Sequence, residues 1–234
     1  MADISDNLLA LRTRIAEACK TAGRAPESVR LLAVSKNFSA RAIQQAMAAG
    51  QREFGENYLQ EALGKIAQLP REGIHWHFIG PIQSNKTRSI AEHFDWVQSV
   101  DRLKIAQRLA EQRPASLPPL NVCVQVNISG EETKSGCAPD QAETLCRAVA
   151  QLPGLRLRGL MAIPAPAADA DDPVPFRRLR EIYENLRNSG LPLETLSIGM
   201  SDDYAAAIAE GSTMVRIGTA LFGRRETRDE RRKP

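Results

Sequence analysis

The residue with the clearest chemical potential is Lys36, which ends the strand-like apolar run LLAVSK. A buried strand that ends in a lysine, just before a helical segment, carries the amine to a junction where partial loss of water would lower its pKa. A neutral amine is a nucleophile that can form a Schiff base with a carbonyl compound. The alternative is a lysine that closes a strand and extends its ammonium group into water. Other parts of the chain must decide between the two.

Two segments near the C-terminus have the composition of a phosphate site. The string SIGMSDD contains Ser201, and the string VRIGTA contains Gly218 and Thr219. Small residues let backbone N–H groups approach a phosphate, and the N-terminus of a following helix carries partial positive charge. In the closed barrel of parallel strands, the loops after the last two strands are the usual phosphate site. The alternative is a pair of tight turns with a helix cap.

A third candidate, Arg216, lies two residues before Gly218 in an expected buried strand. An unpaired guanidinium is costly to bury, so it needs a carboxylate, a phosphate or a ring acceptor. A structural salt bridge is the ordinary alternative. A lysine for an imine, a phosphate cradle and an arginine between them together suggest pyridoxal 5'-phosphate (PLP) as cofactor.

The elements that would bring these residues together are readable from hydrophobic periodicity. Strands are predicted at 30–35, 53–55, 75–79, 96–99, 121–127, 157–162, 195–199 and 214–218. Helices are predicted at 5–21, 39–49 with Ser39 as N-cap, 57–68 from Asn57, 101–112 from Asp101, 139–151 and 175–188, with shorter ones after Ser84 and Ser201.

This alternation predicts one α/β domain, a single (β/α)₈ TIM barrel with an extra N-terminal helix. The absence of a GxGxxG string after the first strand disfavours an open doubly wound sheet. We expect the barrel to occupy residues 1–225 and a charged, frayed tail to occupy 226–234. The C-terminal strand ends would share one mouth. They bring together Lys36, Asn57, His77, Asn85, Asn127, Met161, Ser201, Arg216, Gly218 and Thr219.

Composition narrows the class of protein. The 234 residues are 43% hydrophobic and carry a formal charge of only +3, which gives no basis for a nucleic-acid partner. The N-terminus does not resemble a signal peptide, and no apolar run is long enough to span a bilayer. Four scattered cysteines without a CxxC pair predict reduced thiols, no metal site and a cytoplasmic location.

Six strings, spread in order over nearly the whole chain, resemble a known family. They are LLAVSK at 31–36, FGENY at 54–58, WHFIGPIQSNK at 76–86, VNIS at 126–129, SIGMSDDY at 197–204 and VRIGTALFG at 215–223. They look like the YggS/PROSC family of pyridoxal phosphate homeostasis proteins.

The resemblance implies a fold and a set of site residues. The family is similar to the barrel domain of bacterial alanine racemase, the fold-type III class of PLP enzymes, and carries PLP as an internal aldimine on the lysine that matches Lys36. Ser201, Gly218 and Thr219 would hold the phosphate, and Arg216 would face the pyridine nitrogen. Asn57, His77 and Asn85 match further pocket positions.

The resemblance also implies a function. Racemases take a second catalytic tyrosine from a C-terminal β-domain, which we expect this chain to lack, so no catalytic residue is assigned. The leading hypothesis is a protein of PLP homeostasis that buffers or delivers the cofactor without robust turnover, with apo PLP-dependent enzymes as partners. No nucleic acid or membrane partner is expected, and the protein would be a monomer or a weak dimer.

Two alternative functions and the role of one loop stay open at this point. One is a small PLP-dependent amino-acid racemase that uses His77 or a water as the second acid/base group. Another is a cofactor-free aldolase that keeps the lysine and binds a sugar phosphate. The polar loop around Lys134 is either a mobile lip over the pocket or a solvated loop.

Overall fold

Eight parallel strands form a closed barrel in the computed structural model, which describes residues 3–131, 135–164 and 173–223. Each strand pairs with its neighbours in sequence, and β8 closes the barrel against β1. The predicted TIM barrel is therefore confirmed. The strands are β1 (Arg30–Val34), β2 (Glu53–Glu56), β3 (His75–Phe78), β4 (Trp96–Val100), β5 (Leu120–Gln125), β6 (Leu155–Met161), β7 (Thr195–Ser197) and β8 (Met214–Ile217). The loop position Lys134 and the tail 226–234 lie outside the described residues.

The helices alternate with the strands, and α1 precedes the barrel as predicted. They are α1 (Ile4–Thr21), α2 (Ala40–Ala48), α3 (Leu59–Ile66), α4 (Thr87–His93), α5 (Leu103–Gln112), α6 (Ala142–Ala150), α7 (Val174–Asn188), α8 (Tyr204–Ala209) and α9 (Thr219–Phe222), with 3₁₀ turns at Pro26–Ser28, Ser84–Lys86 and Pro139–Gln141.

Helix starts were predicted with mixed success. Ser39 caps α2 as expected, because its side chain accepts a hydrogen bond from the N–H of Ala42. The predicted starts at Asn57 and Asp101 are wrong, since α3 begins at Leu59 and α5 at Leu103. The backbone of Asn57 instead packs closely against Gly80. A Cβ atom on residue 80 would overlap the carbonyl oxygen of Asn57. Asp101 instead pairs with the neighbouring Arg102, at 2.7 Å.

The hydrophobic core lies in two places. The larger part fills the space between the strands and the helices around them. Inside the barrel, the apolar side chains of the described residues form two small clusters. One contains Leu32, Val34, Ile79 and Met214, and the other contains Trp96, Cys123 and Met161. The rest of the barrel interior is therefore available to polar side chains.

The turn that carries Lys36 is held by groups from α3. Asn37 has a φ of 66°, a left-handed conformation that is uncommon for a residue other than glycine. Its N–H donates to Glu61 Oε1 at 2.5 Å, and Lys65 Nζ donates to the carbonyl of Ser35 at 2.7 Å. The backbone is therefore fixed on both sides of Lys36.

Lys65 is also the centre of a buried ion cluster. Its Nζ lies 2.7 Å from Glu56 Oε1 and 2.6 Å from Glu61 Oε1, and the side chain is 7% exposed. The hydroxyl of Ser35 donates to the same Glu56 oxygen at 2.6 Å. Burial raises the pKa of Glu56, and the positive charge of Lys65 opposes that rise. Lys65 is thus the cation that allows the Glu56 carboxylate to be buried under the Lys36 turn.

Lys65→Met is expected to lower the free energy of unfolding by about 3 kcal/mol at neutral pH, because it leaves a buried carboxylate without its partner. Without Lys65, the native pKa of Glu56 should rise further above its unfolded value. The native state would then bind more protons than the unfolded state between those two pKa values, so stability should fall as pH rises. Urea unfolding at mildly acidic pH should therefore show a smaller loss than at neutral pH.

The matched control is Lys104→Met, which removes an exposed lysine from α5 and should change stability by less than about 0.5 kcal/mol. Equal effects of the two substitutions would contradict the role assigned to Lys65.

Candidate cofactor site

A cavity at the C-terminal end of the barrel gathers six of the eight predicted site residues. Its volume is about 170 Å³, below the usual range for drug-sized ligands, so it suits a small single-ring molecule. It is lined by Val34, Lys36, Phe38, Asn57, Ile79, Ile163, Met200, Ser201, Arg216, Gly218 and Thr219. A larger cavity, of about 390 Å³, lies at the opposite end beside Arg30 and Glu53 and contains none of the predicted residues.

Lys36 reaches this cavity directly from the end of β1. It is partly buried, while the four preceding residues 32–35 are buried. The left-handed turn at Asn37 then leads the chain towards α2. Lys36 is therefore carried to the barrel mouth on a fixed backbone, as predicted from the sequence.

The two phosphate-like turns converge on the same cavity. Ser201 lies in the loop between β7 and α8, and that loop is tied to β8 by the N–H of Arg216, which donates to the carbonyl of Gly199 at 2.9 Å. At Gly218 any Cβ would lie only 2.9 Å from the carbonyl oxygen of Val34, so glycine permits the close approach of β8 and β1. Thr219 begins α9 immediately afterwards. Two backbone turns with small side chains thus line the same cavity as Lys36.

Arg216 lies at this cavity but is only 4% exposed. Its Nη1 donates to the carbonyl and the hydroxyl of Ser197, at 2.6 and 2.9 Å, and its Nη2 donates to the carbonyl of Ala162 at 2.8 Å. Burial lowers its pKa to about 10, against the opposing charge of Asp203, so the guanidinium stays charged at neutral pH. Within the described ranges no ion pair includes Arg216. Neutral acceptors, rather than a structural salt bridge, hold it.

The structure does not bring His77 and Asn85 to the cavity lining. His77 lies inside the barrel, fully buried and stacked on Trp96 with ring centroids 5.1 Å apart. Alternate strand residues point to the same side, so Ile79 takes the position at the mouth and His77 lies one layer deeper. Asn85 is exposed on its 3₁₀ turn. Cofactor contacts of these two residues stay predictions.

Two other strand-end residues have local roles. Asn127 binds its own loop, since its side chain donates to the carbonyl of Glu131 at 2.8 Å and accepts from the N–H of Gly130 at 3.1 Å. Met161 belongs to the apolar cluster inside the barrel with Trp96. Neither lines the cavity.

The described part of the chain shows neither a metal-binding cluster nor a membrane-spanning helix. Within it, no group of three or more His, Cys, Asp or Glu side chains could hold a metal ion. No helix there is long and apolar enough to cross a membrane. The four cysteines are buried and unpaired, and burial raises the pKa of Cys123 and Cys146 to about 12. Thiols of this kind are unreactive packing groups.

The residues that hold the site residues in place from outside the cavity were not predicted from the sequence. Lys65 and Glu61 fix the Lys36 turn, and their only signal was an oppositely charged pair spaced i,i+4 on a predicted helix. Gln98, whose side chain accepts a hydrogen bond from Ser197, lies in the predicted strand 96–99, and its only signal was a polar residue in a largely apolar run. Ser197 was noted as part of its string, but its contact with Arg216 was not predicted.

Comparisons with known proteins identify the family and the fold of this chain. The sequence model of the alanine racemase N-terminal domain matches residues 7–226. The pyridoxal phosphate homeostasis protein of Pseudomonas aeruginosa is 64% identical over 227 residues, which cover 97% of each chain. PipY of Synechococcus elongatus, solved with PLP bound, superimposes with a TM-score of 0.80 at 38% identity, over 94% of this chain and 100% of PipY.

A structure of low sequence identity shares the same barrel fold. Alanine racemase from Corynebacterium glutamicum is 19% identical and superimposes with a TM-score of 0.68, over 94% of this chain but 59% of the racemase. This likeness concerns the barrel alone. The match to the alanine racemase N-terminal domain model and the full-length match to the Pseudomonas protein show that the chain belongs to the YggS/PROSC family of pyridoxal phosphate homeostasis proteins.

Proposed function

We propose that this protein binds PLP in the cavity at the C-terminal end of the barrel, holds it as a Schiff base on Lys36, and stores and delivers it to other proteins. The observation that carries the proposal is the meeting of Lys36, Arg216 and the two small-residue turns in one cavity. PipY, a relative with the same fold, has been solved with PLP bound, which supports the choice of cofactor.

The lining residues fit the parts of PLP. Ser201, Gly218 and Thr219 supply hydroxyl groups and backbone N–H groups for a phosphate. Apolar lining residues, such as Ile79, suit one face of an aromatic ring. Lys36 supplies the amine, whose Nζ would add to the aldehyde carbon with loss of water to form the C=N bond.

Arg216 determines what chemistry the bound cofactor would supply. PLP acts as an electron sink most strongly when its ring nitrogen is protonated, and an acidic partner stabilises that proton. An arginine cannot do so, because its guanidinium stays protonated and can only donate hydrogen bonds. Arg216 would therefore keep the cofactor a weak sink, which suits storage better than carbanion chemistry.

The cavity also offers no pair of acid/base groups for racemisation. Among its described lining residues, Lys36 and Arg216 are the only titratable ones. Racemisation needs one group on each face of the substrate carbon. His77, the candidate in the racemase alternative, lies inside the barrel, and burial lowers its pKa against the opposing effect of Glu53. These observations favour a carrier over a small racemase.

The same proposal assigns the protein to the cytoplasm, with apo PLP-dependent enzymes as the recipients of the cofactor. The four unpaired cysteines support a reducing compartment. The name of the Pseudomonas relative, a pyridoxal phosphate homeostasis protein, supports a role in supply rather than in turnover.

Borohydride reduction of the PLP-loaded protein is expected to fix the cofactor on Lys36, because it reduces the C=N bond to a stable amine. Mass spectrometry of peptides would locate the added mass. Lys36→Ala should abolish the modification, whereas Lys86→Ala, which changes a lysine outside the cavity lining, should retain it. Modification of another lysine, or no uptake of PLP, would contradict the proposed Schiff base on Lys36.

Delivery is tested by mixing the loaded protein with an apo PLP enzyme and following recovery of that enzyme's activity. A parallel sample replaces the apo enzyme by an excess of an aldehyde scavenger, which reports spontaneous release. We expect recovery to be faster than release. Equal rates of activity recovery and spontaneous release would show that the protein only stores PLP, and would contradict direct delivery.

A further inference from the structure

A line of polar side chains runs through the barrel interior beneath Arg216. The hydroxyl of Ser197 lies 2.9 Å from Arg216 Nη1 and 2.6 Å from Gln98 Oε1. Gln98 Nε2 lies 2.9 Å from His77 Nδ1, and His77 Nε2 lies 2.7 Å from Glu53 Oε2. Ser197, Gln98 and His77 are fully buried. We call these five residues the interior chain.

The two ends of the interior chain fix its direction. A guanidinium can only donate hydrogen bonds, and a carboxylate can only accept them. Ser197 therefore accepts from Arg216 and donates to Gln98 Oε1, and the Gln98 amide donates to His77 Nδ1. The His77 proton then lies on Nε2, towards Glu53. If the His77 proton were on Nδ1 instead, the unprotonated Nε2 would face the carboxylate of Glu53, and the two would repel each other.

The last contact is less regular than the others. Although the distance is short, the ring N–H of His77 is bent away from Glu53 Oε2, so the contact is a charge–dipole pair rather than an aligned hydrogen bond. Burial lowers the pKa of His77. The ring is therefore neutral, and a proton on Nε2 is the position compatible with both Gln98 and Glu53.

Apolar groups surround the interior chain on both sides. Gln98 Nε2 also lies 3.1 Å from the sulfur of Met214, and His77 stacks on Trp96 with an angle of 10° between the rings. Met214 and Trp96 belong to the two separate apolar clusters inside the barrel. In such surroundings a broken link leaves polar groups buried without partners, so the members of the chain hold one another in place.

We propose that Gln98 and Ser197 are positioning residues for Arg216, which hold its guanidinium at the cavity in one orientation before PLP arrives. This inference rests on the proposed function, in which Arg216 meets the ring nitrogen. A free arginine side chain has many rotamers, and ordering it on binding would reduce affinity. Gln98 and Ser197 do not line the cavity or, on this proposal, touch the cofactor, except through Arg216.

Ser197→Ala tests the link, with Ser212→Ala as the matched control. Both serines are fully buried, but the Ser212 hydroxyl binds only backbone carbonyls, those of Ile198 at 2.7 Å and Met214 at 3.1 Å being its shorter contacts. We expect Ser197→Ala to raise the dissociation constant of PLP about tenfold and to change the absorption spectrum of the bound cofactor. Ser212→Ala should lower stability but change that constant by less than about twofold.

A second variant, Gln98→Leu, breaks the interior chain without altering any group that contacts Arg216. It should shift the PLP affinity and spectrum in the same direction as Ser197→Ala. Thermal unfolding of every variant identifies those that remain folded. Indistinguishable PLP affinities and spectra for Ser197→Ala and Ser212→Ala would overturn the positioning role.

Nitrogen-15 NMR of the histidine side chains tests the interior chain without PLP. The protein has only three histidines, and His77→Gln would identify the signal of interest. A neutral ring protonated on Nε2 would support the assigned direction, and a proton on Nδ1 would overturn it. If the wild-type protein bound no PLP, the proposed function and the cofactor role of the chain would both fall, and this spectrum alone would still decide whether the interior chain exists.

Discussion

The buried positive charge of Arg216 is the constraint on which the site depends. A charged group inside a protein must find acceptors, because its loss of hydration is otherwise too costly. Arg216 lies on β8 and takes them from Ser197 on β7 and from Ala162, which directly follows β6. One guanidinium therefore joins the ends of three consecutive strands. Its position is defined only if these strands keep their register, and the closed barrel supplies that register.

The same logic governs the other side of the cavity. Lys36 stands on a backbone turn that Lys65 and Glu61 hold from outside the cavity. On both sides, groups behind the site hold a part of a residue that lines it, namely the backbone beside Lys36 and the guanidinium of Arg216. The charged guanidinium of Arg216 lies in the same cavity as the two small-residue turns, and its positive charge attracts a phosphorylated ligand. A preorganised pocket of this kind lowers the cost of binding.

Much of the fold was predictable because its signals are local. Apolar runs and helical periodicity predicted all eight strands, and the rule that C-terminal strand ends share a mouth predicted that Lys36, Ser201 and Gly218 would meet. His77 lies on the predicted strand but inside the barrel and not at the cavity lining, and no local pattern separates these two layers, which differ by one pair of residues along a strand. The contact between Gln98 and Ser197 joins residues 99 positions apart. It depends on the register of strands that are not neighbours, which no local pattern encodes.

The central claim is that Lys36 and the preplaced Arg216 hold PLP between them. A crystal structure of the PLP-loaded protein tests it most directly. We expect continuous electron density from Lys36 Nζ into the cofactor, the phosphate beside Ser201 and Thr219, and the Arg216 guanidinium still bound to Ser197 and Ala162. PLP bound elsewhere, or a guanidinium that has left Ser197 to reach the ring, would contradict the account.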